Sequence, residues 1–241
     1  MGKLQHIAPA DRKWFLLMGF LEPFMYYIGE SYGLQLITST QAAVIVSTIP
    51  LFAPILAFFF YRERLTMLNI IGIFVSIVGV AMIVYEKNSG LAAPIKGILL
   101  MFLAVFSALF YGLMVRKLSS RYNPFTIVTV QNGIGIILFM PLFIGLEWNT
   151  FVSTTPTFNA MSAIVLLAIF ASSLAFMLFA HGIQKIGLSR ANVFTNAIPA
   201  FTAIIAWIVL DEILTGQKII GILIVMIGLY VSQIKRNTHV V

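Results

Sequence analysis

The chain has 241 residues, 60% hydrophobic and 10% charged, with a formal net charge of +7 and no cysteine; its mean hydropathy is +1.00. Soluble domains carry about 25% charged residues, so a water-soluble globular fold is excluded. The missing cysteines exclude a disulfide scaffold and thiolate metal sites, and the net charge points to nucleic acid or anionic lipid only until its placement is known.

The first 13 residues are polar and lack the apolar stretch of a signal peptide. Gly2 is followed by His6 where a myristoylation signal needs Ser or Thr, so no lipid anchor is expected there. Apolar runs then recur at about 14–33, 40–61, 67–85, 96–115, 124–146, 159–184, 190–210 and 217–234. Each is near the roughly 20 residues that a helix needs to cross a bilayer. Barrel strands would alternate in polarity, and Ile70 to Val84 and Ile219 to Tyr230 do not. The expected fold is an all-α membrane protein with eight transmembrane helices.

The first run holds the most chemistry. It carries Glu22, Pro23, Tyr26, Tyr27 and Glu30. On an unbroken helix Glu22, Tyr26 and Glu30 fall at about 0°, 40° and 80°, one face, with Glu22 about 12 Å along the axis from Trp14. Charged groups inside a span are costly and usually functional, so Glu22 reads as a proton-coupling or cation-recognising carboxylate. The structural alternative is a protonated acid hydrogen-bonded across helices. Glu30, nearer a helix end, reads as a coupling group or a solvated one. Pro23 is expected to kink the span beside the acid.

In the second run Ser47 and Thr48 precede Pro50, and in the seventh Thr195 and Asn196 precede Pro199. Both prolines fall near the middle of their runs and read as hinges or as curvature. The polar pairs, Thr48 and Asn196 above all, are candidate cavity linings. Ser172 and Ser173 read as packing residues or substrate donors, with Ser173 carried as a candidate. Gln131 and Asn132 read likewise as packing residues or substrate donors, and Gly133 and Gly135 beside them point to close helix approach. Glu63 and Glu212 each sit in a short loop before a Thr and read as turn structure. His181 has no partner at metal spacing, so no metal site is expected.

The 15 basic residues divide unevenly between the loops. Twelve, from Lys3 to Arg236, fall on the side of both termini; only Lys87, Lys96 and Lys218 fall on the other. The positive-inside rule then puts both termini in the cytoplasm, with the plasma membrane as the expected location. The charge is used up as a topology signal, and nucleic acid is not an expected partner.

Shifting the chain by 149 residues aligns Ser31 to Ala81 with Ala180 to Tyr230 without a gap, at 18 identities in 51 positions. Gly33 matches Gly182, Gln35 matches Gln184, and Ile49-Pro50 matches Ile198-Pro199. Glu63, Leu65 and Thr66 match Glu212, Leu214 and Thr215, and Gly79 matches Gly228. An odd number of spans separates the copies, so they run in opposite directions. Inverted repeats are a recurring plan of secondary transporters, with the substrate site near the midplane. The second copy begins near Pro94, so the first copy is expected to lack two spans. This gives domains 1–90, a truncated first repeat of three helices, and 91–241, a second repeat of five.

The doubled pattern resembles the drug/metabolite transporter superfamily of the EamA type. It is carried by Ala42-Ala43, Pro50, Glu63 to Thr66 and Ile71-Gly72 in the first copy, and by Ala191, Pro199, Glu212 to Thr215 and Ile220-Gly221 in the second. The resemblance implies a ten-helix 5+5 plan, of which these spans are similar to the third to tenth helices. It also implies cytoplasmic termini, a central cavity, and export or uptake of small metabolites such as amino acids.

Three function classes follow. The leading expectation is a secondary transporter of small metabolites, proton-driven or facilitating, working by alternating access between inverted halves. No phosphate-binding G-x-x-x-x-G-K-[ST] loop occurs, so neither ATP drive nor a cofactor is expected. The second is a partner-dependent membrane subunit, such as a flippase component, completed by a second copy or by two missing helices. The third, a membrane-embedded enzyme, would need acid, base and nucleophile at one depth, and the polar residues are scattered instead. Expected partners are a small-molecule metabolite and the lipid bilayer.

Overall fold

In the computed structural model the described residues are 4–61, 66–86, 90–91, 94–186 and 198–233. Twelve α-helical segments lie among them: α1 Arg12–Gly19, α2 Tyr26–Leu34, α3 Ser39–Val46, α4 Ile49–Tyr61, α5 Met67–Val84 and α6 Ile95–Leu118. They continue as α7 Pro124–Leu142, α8 Trp148–Ser153, α9 Phe158–Leu166, α10 Phe176–Ile186, α11 Ile198–Val209 and α12 Gly216–Gln233. Wide helical turns join α7 to α8 and α9 to α10. Three continuous stretches are long and apolar enough to cross a membrane: Ile95–Leu118, Pro124–Ser153 and Phe158–Lys185. The chain is an all-α membrane protein. Among the described residues the one extended pair is a two-residue ribbon matching Tyr85 to Leu91 and Glu86 to Gly90.

Two of the expected unbroken spans are broken. The first parts between α1 and α2, where Glu22 takes φ −146° and ψ 119° inside Phe20–Met25. A proline ring collides with helical backbone at the residue before it and pushes that residue into the extended region. The break therefore falls on Glu22, one residue ahead of Pro23. The second span parts at Ser47 and Thr48, whose hydroxyls donate to the carbonyls of Val44 (2.7 Å) and Ile45 (2.6 Å). Pro50 thus stands in the first turn of α4 and not in mid-helix; its absent N–H is harmless there.

By contact the chain forms two compact units. Unit 1 comprises residues 1–27 and 110–191, unit 2 residues 28–109 and 192–241. Each takes helices from both sides of residue 90, so the units are a different partition from the sequence repeats. In unit 1, Phe15, Met18, Tyr111, Leu118 and Ile127 form the core, and the Phe15 ring meets the Tyr122 edge at 5.1 Å. The segment before α1 docks on the turn after α6: Asp11 is buried, accepts from Tyr122 Oη at 3.0 Å and pairs with Arg121 at 3.2 Å.

In unit 2, α5 and α12 lie antiparallel in intimate contact, and the 149-residue shift turns one into the other. A Cβ on Gly72 would lie 2.5 Å from the Gly228 carbonyl oxygen, and a Cβ on Gly79 2.8 Å from that of Gly221. The shift carries Gly72 to Gly221 and Gly228 back to Gly79, so each contact maps onto the other. Ser76 donates to Val225 O at 3.2 Å, and these two are themselves shift mates, placing the pseudo-two-fold between them. Apolar side chains gain nothing by leaving lipid, so packing of small residues is what holds such a pair.

Glu212 does more than shape its turn. Its carboxylate accepts from Ser39 N (2.8 Å), Thr40 N (3.4 Å) and Thr40 Oγ1 (2.7 Å), capping the amino end of α3, which Thr38 and Gln41 cap locally. An anion there satisfies unbonded N–H groups and faces the positive end of the helix dipole. Glu212→Ala is expected to lower stability by about 1–2 kcal/mol, as for other lost caps. Thermal unfolding in detergent measures it; an unchanged midpoint would contradict the capping role.

Candidate functional site

The broken first span packs, within unit 1, on α7. A Cβ on Gly19 would lie 2.6 Å from Ile134 Cγ2, and a Cβ on Gly135 would lie 2.5 Å from Pro23 Cγ. Only glycine permits this approach at either place. Gln131 lies four residues before Gly135, hence on the same face of α7. The break at Glu22 and Pro23 is thus laid over the α7 face that carries Gln131.

Glu22 is 5% exposed. An acid buried in an apolar span is costly, and such residues mark ion or substrate pathways. Around it, unit 1 gathers polar groups from four helical segments. Tyr111 of α6 donates from Oη to Gln131 Oε1 at 2.9 Å, both residues being buried. The Tyr27 and Ser172 hydroxyls bond at 3.1 Å, and Asn132 Nδ2 donates to Ser172 O at 3.3 Å. The Tyr26 ring stands edge-on to Tyr27 at 5.6 Å.

The sequence candidates are therefore only partly united. Glu22 sits in the break and not on the helical face expected to hold Glu22, Tyr26 and Glu30 together; Tyr26 and Glu30 remain one turn apart on α2. Glu22, Pro23, Tyr26 and Ser173 belong to unit 1, while Glu30, Thr48, Pro50 and Pro199 belong to unit 2. Thr48 is buried and spends its hydroxyl on Ile45 O, and Pro199 is buried near the start of α11. Asn196 lies outside the described residues. Ser173 turns its hydroxyl back to Ala168 O at 2.9 Å, and it is Ser172 that meets Tyr27.

Nothing in the sequence singles out Tyr111, and for Gln131 it leaves packing and substrate donation both open. A glutamine in the middle of an apolar 19-residue helix was the available signal, since buried amides need partners.

A discontinuous helix over a buried acid, in an all-α membrane protein, is the construction secondary transporters use for their sites. The chain belongs to the EamA-like transporter family, whose model matches residues 1–85 and 95–233. It is similar to the uncharacterized transporter YetK of Bacillus subtilis (strain 168), at 30% identity over 225 residues, covering 92% of this chain and 68% of that one. An uncharacterized transporter of Archaeoglobus fulgidus is 31% identical over 219 residues, covering 91% of this chain and 76% of that one. A solved crystal structure at 16% identity shares the fold, with a TM-score of 0.70 over 95% of this chain and 79% of that one. The protein is an integral membrane transporter.

Proposed function

We propose that the protein is a secondary transporter of small polar metabolites such as amino acids, with Glu22 as its proton-coupling group, working by alternating access between inverted halves in the plasma membrane with both termini cytoplasmic. One observation carries this reading: the first apolar span opens its helix at a buried carboxyl and lays that opening on a polar face of α7. A buried acid that exchanges its proton during the cycle links solute movement to the proton gradient. Pro23, at the break in the first span, and Pro50 and Pro199, near the starts of α4 and α11, are the proposed hinges about which the halves rock.

The chain has no cysteine, so Ser172→Cys introduces a single reporter of nearly the same size beside Tyr27. Alternating access predicts that a membrane-impermeant thiol reagent modifies it in both right-side-out and inside-out vesicles. Reaction from one side only would count against alternation.

A further inference from the structure

Among the described residues the buried side-chain atoms without a hydrogen-bond partner include Gln131 Nε2. Gln131 is fully buried, and its Oε1 is held by the Tyr111 hydroxyl at 2.9 Å. In that bond the hydroxyl donates and the amide oxygen accepts, which leaves Nε2 as the atom without a partner. The group left unsatisfied is therefore the nitrogen with its N–H donors, on the α7 face where the break at Glu22 is packed. A buried donor without a partner is unfavourable, and a native structure keeps one where something else fills its valence. What an amide N–H takes is an acceptor oxygen.

We propose that Gln131 grips an acceptor oxygen of the transported molecule, a carboxylate or a carbonyl, and that Tyr111 is the positioning residue that keeps the amide donors turned toward it. This rests on the transporter reading of the same site and adds the chemistry of one end of the solute. Glu22 lies in the break packed on the same α7 face, so a solute seated there carries its acceptor oxygen beside a cationic or N–H-bearing nitrogen.

The test reads binding to the purified full chain in detergent, by thermal shift, with three probes. Alanine brings a carboxylate, alaninamide a carbonyl, and isopropylamine the ammonium without an acceptor oxygen. Alanine, alaninamide or both should bind the wild type more tightly than isopropylamine, and which of them does so identifies the oxygen. Gln131→Leu should weaken that probe about tenfold, the loss of one hydrogen bond. Gln131→Glu has the same shape and, at a pH high enough to ionise the new carboxyl, replaces donors by acceptors, and it should there reverse the order in favour of isopropylamine. Tyr111→Phe frees the amide to turn over and should shrink the preference without removing binding.

Equal binding of all three probes overturns the proposal, as does an order unchanged in Gln131→Glu. A wild type on which none of the three registers overturns it too, and binding that Gln131 variants leave intact assigns the amide to a structural water. Because no flux is measured, a chain that binds these probes in the stated order but moves no solute refutes the transporter reading alone.

Discussion

Glu22→Gln should abolish proton-driven accumulation while leaving solute exchange in place. Glutamine keeps the size and hydrogen-bonding reach of the carboxyl but cannot release a proton, so the site stays shaped while its coupling is lost. One pH unit across a vesicle is about 1.4 kcal/mol, which supports roughly tenfold accumulation of a solute moved with one proton. In the variant that ratio should fall to about one. Counterflow of labelled against unlabelled solute, which needs no net proton movement, should continue. Helical content and elution volume in detergent check that the variant is folded. Accumulation that still follows the pH gradient after the change would remove Glu22 from the coupling role.

Gly228→Leu should be among the most damaging substitutions to the fold. The position lies where α5 and α12 cross, and a Cβ there would meet Ser76 Oγ and lie 2.7 Å from both the Gly72 carbonyl oxygen and Ser76 N. Two of these neighbours are backbone, which cannot turn aside, so the helices must separate. Separation also strains the Ser76 bond to Val225 O and the end contacts, where Gln217 Nε2 donates to Met82 O at 2.7 Å and Asn69 Nδ2 to Ser232 O. Overpacking costs about 1–3 kcal/mol, or roughly 5–10 °C of melting temperature at the upper end for a chain of this size. Gly133→Leu is the control, because a Cβ on Gly133 meets nothing within 4 Å. Equal melting of the two variants would show that the crossing is not a stability determinant.

The helices themselves were legible because hydropathy marks what lies in lipid, and the 149-residue shift was legible as a repeat, while the pairing of α5 with α12 about that shift came only from the structure. The break in the first span was half legible. Pro23 announced a disturbance, but the helical wheel for Glu22, Tyr26 and Glu30 assumed a continuity that the residue before a proline seldom keeps. Which of two adjacent serines faces the site was beyond periodicity, since Leu167–Ala175 winds as a wider helix and shifts the phase. The bond between Tyr111 and Gln131 spans 20 positions, and the Glu212 cap on Ser39 spans 173. Contacts between separate helices leave no spacing to read along the chain.

The central claim is that this chain carries a small solute past a buried, proton-exchanging carboxyl. It is tested most directly by purified full-length protein in sealed vesicles with a pH-sensitive dye inside and a mixture of labelled amino acids added outside. Label should cross and the internal pH should move with it, and the pH change, but not the exchange of label, should vanish in Glu22→Gln. Label that crosses without any proton movement in the wild type would contradict it.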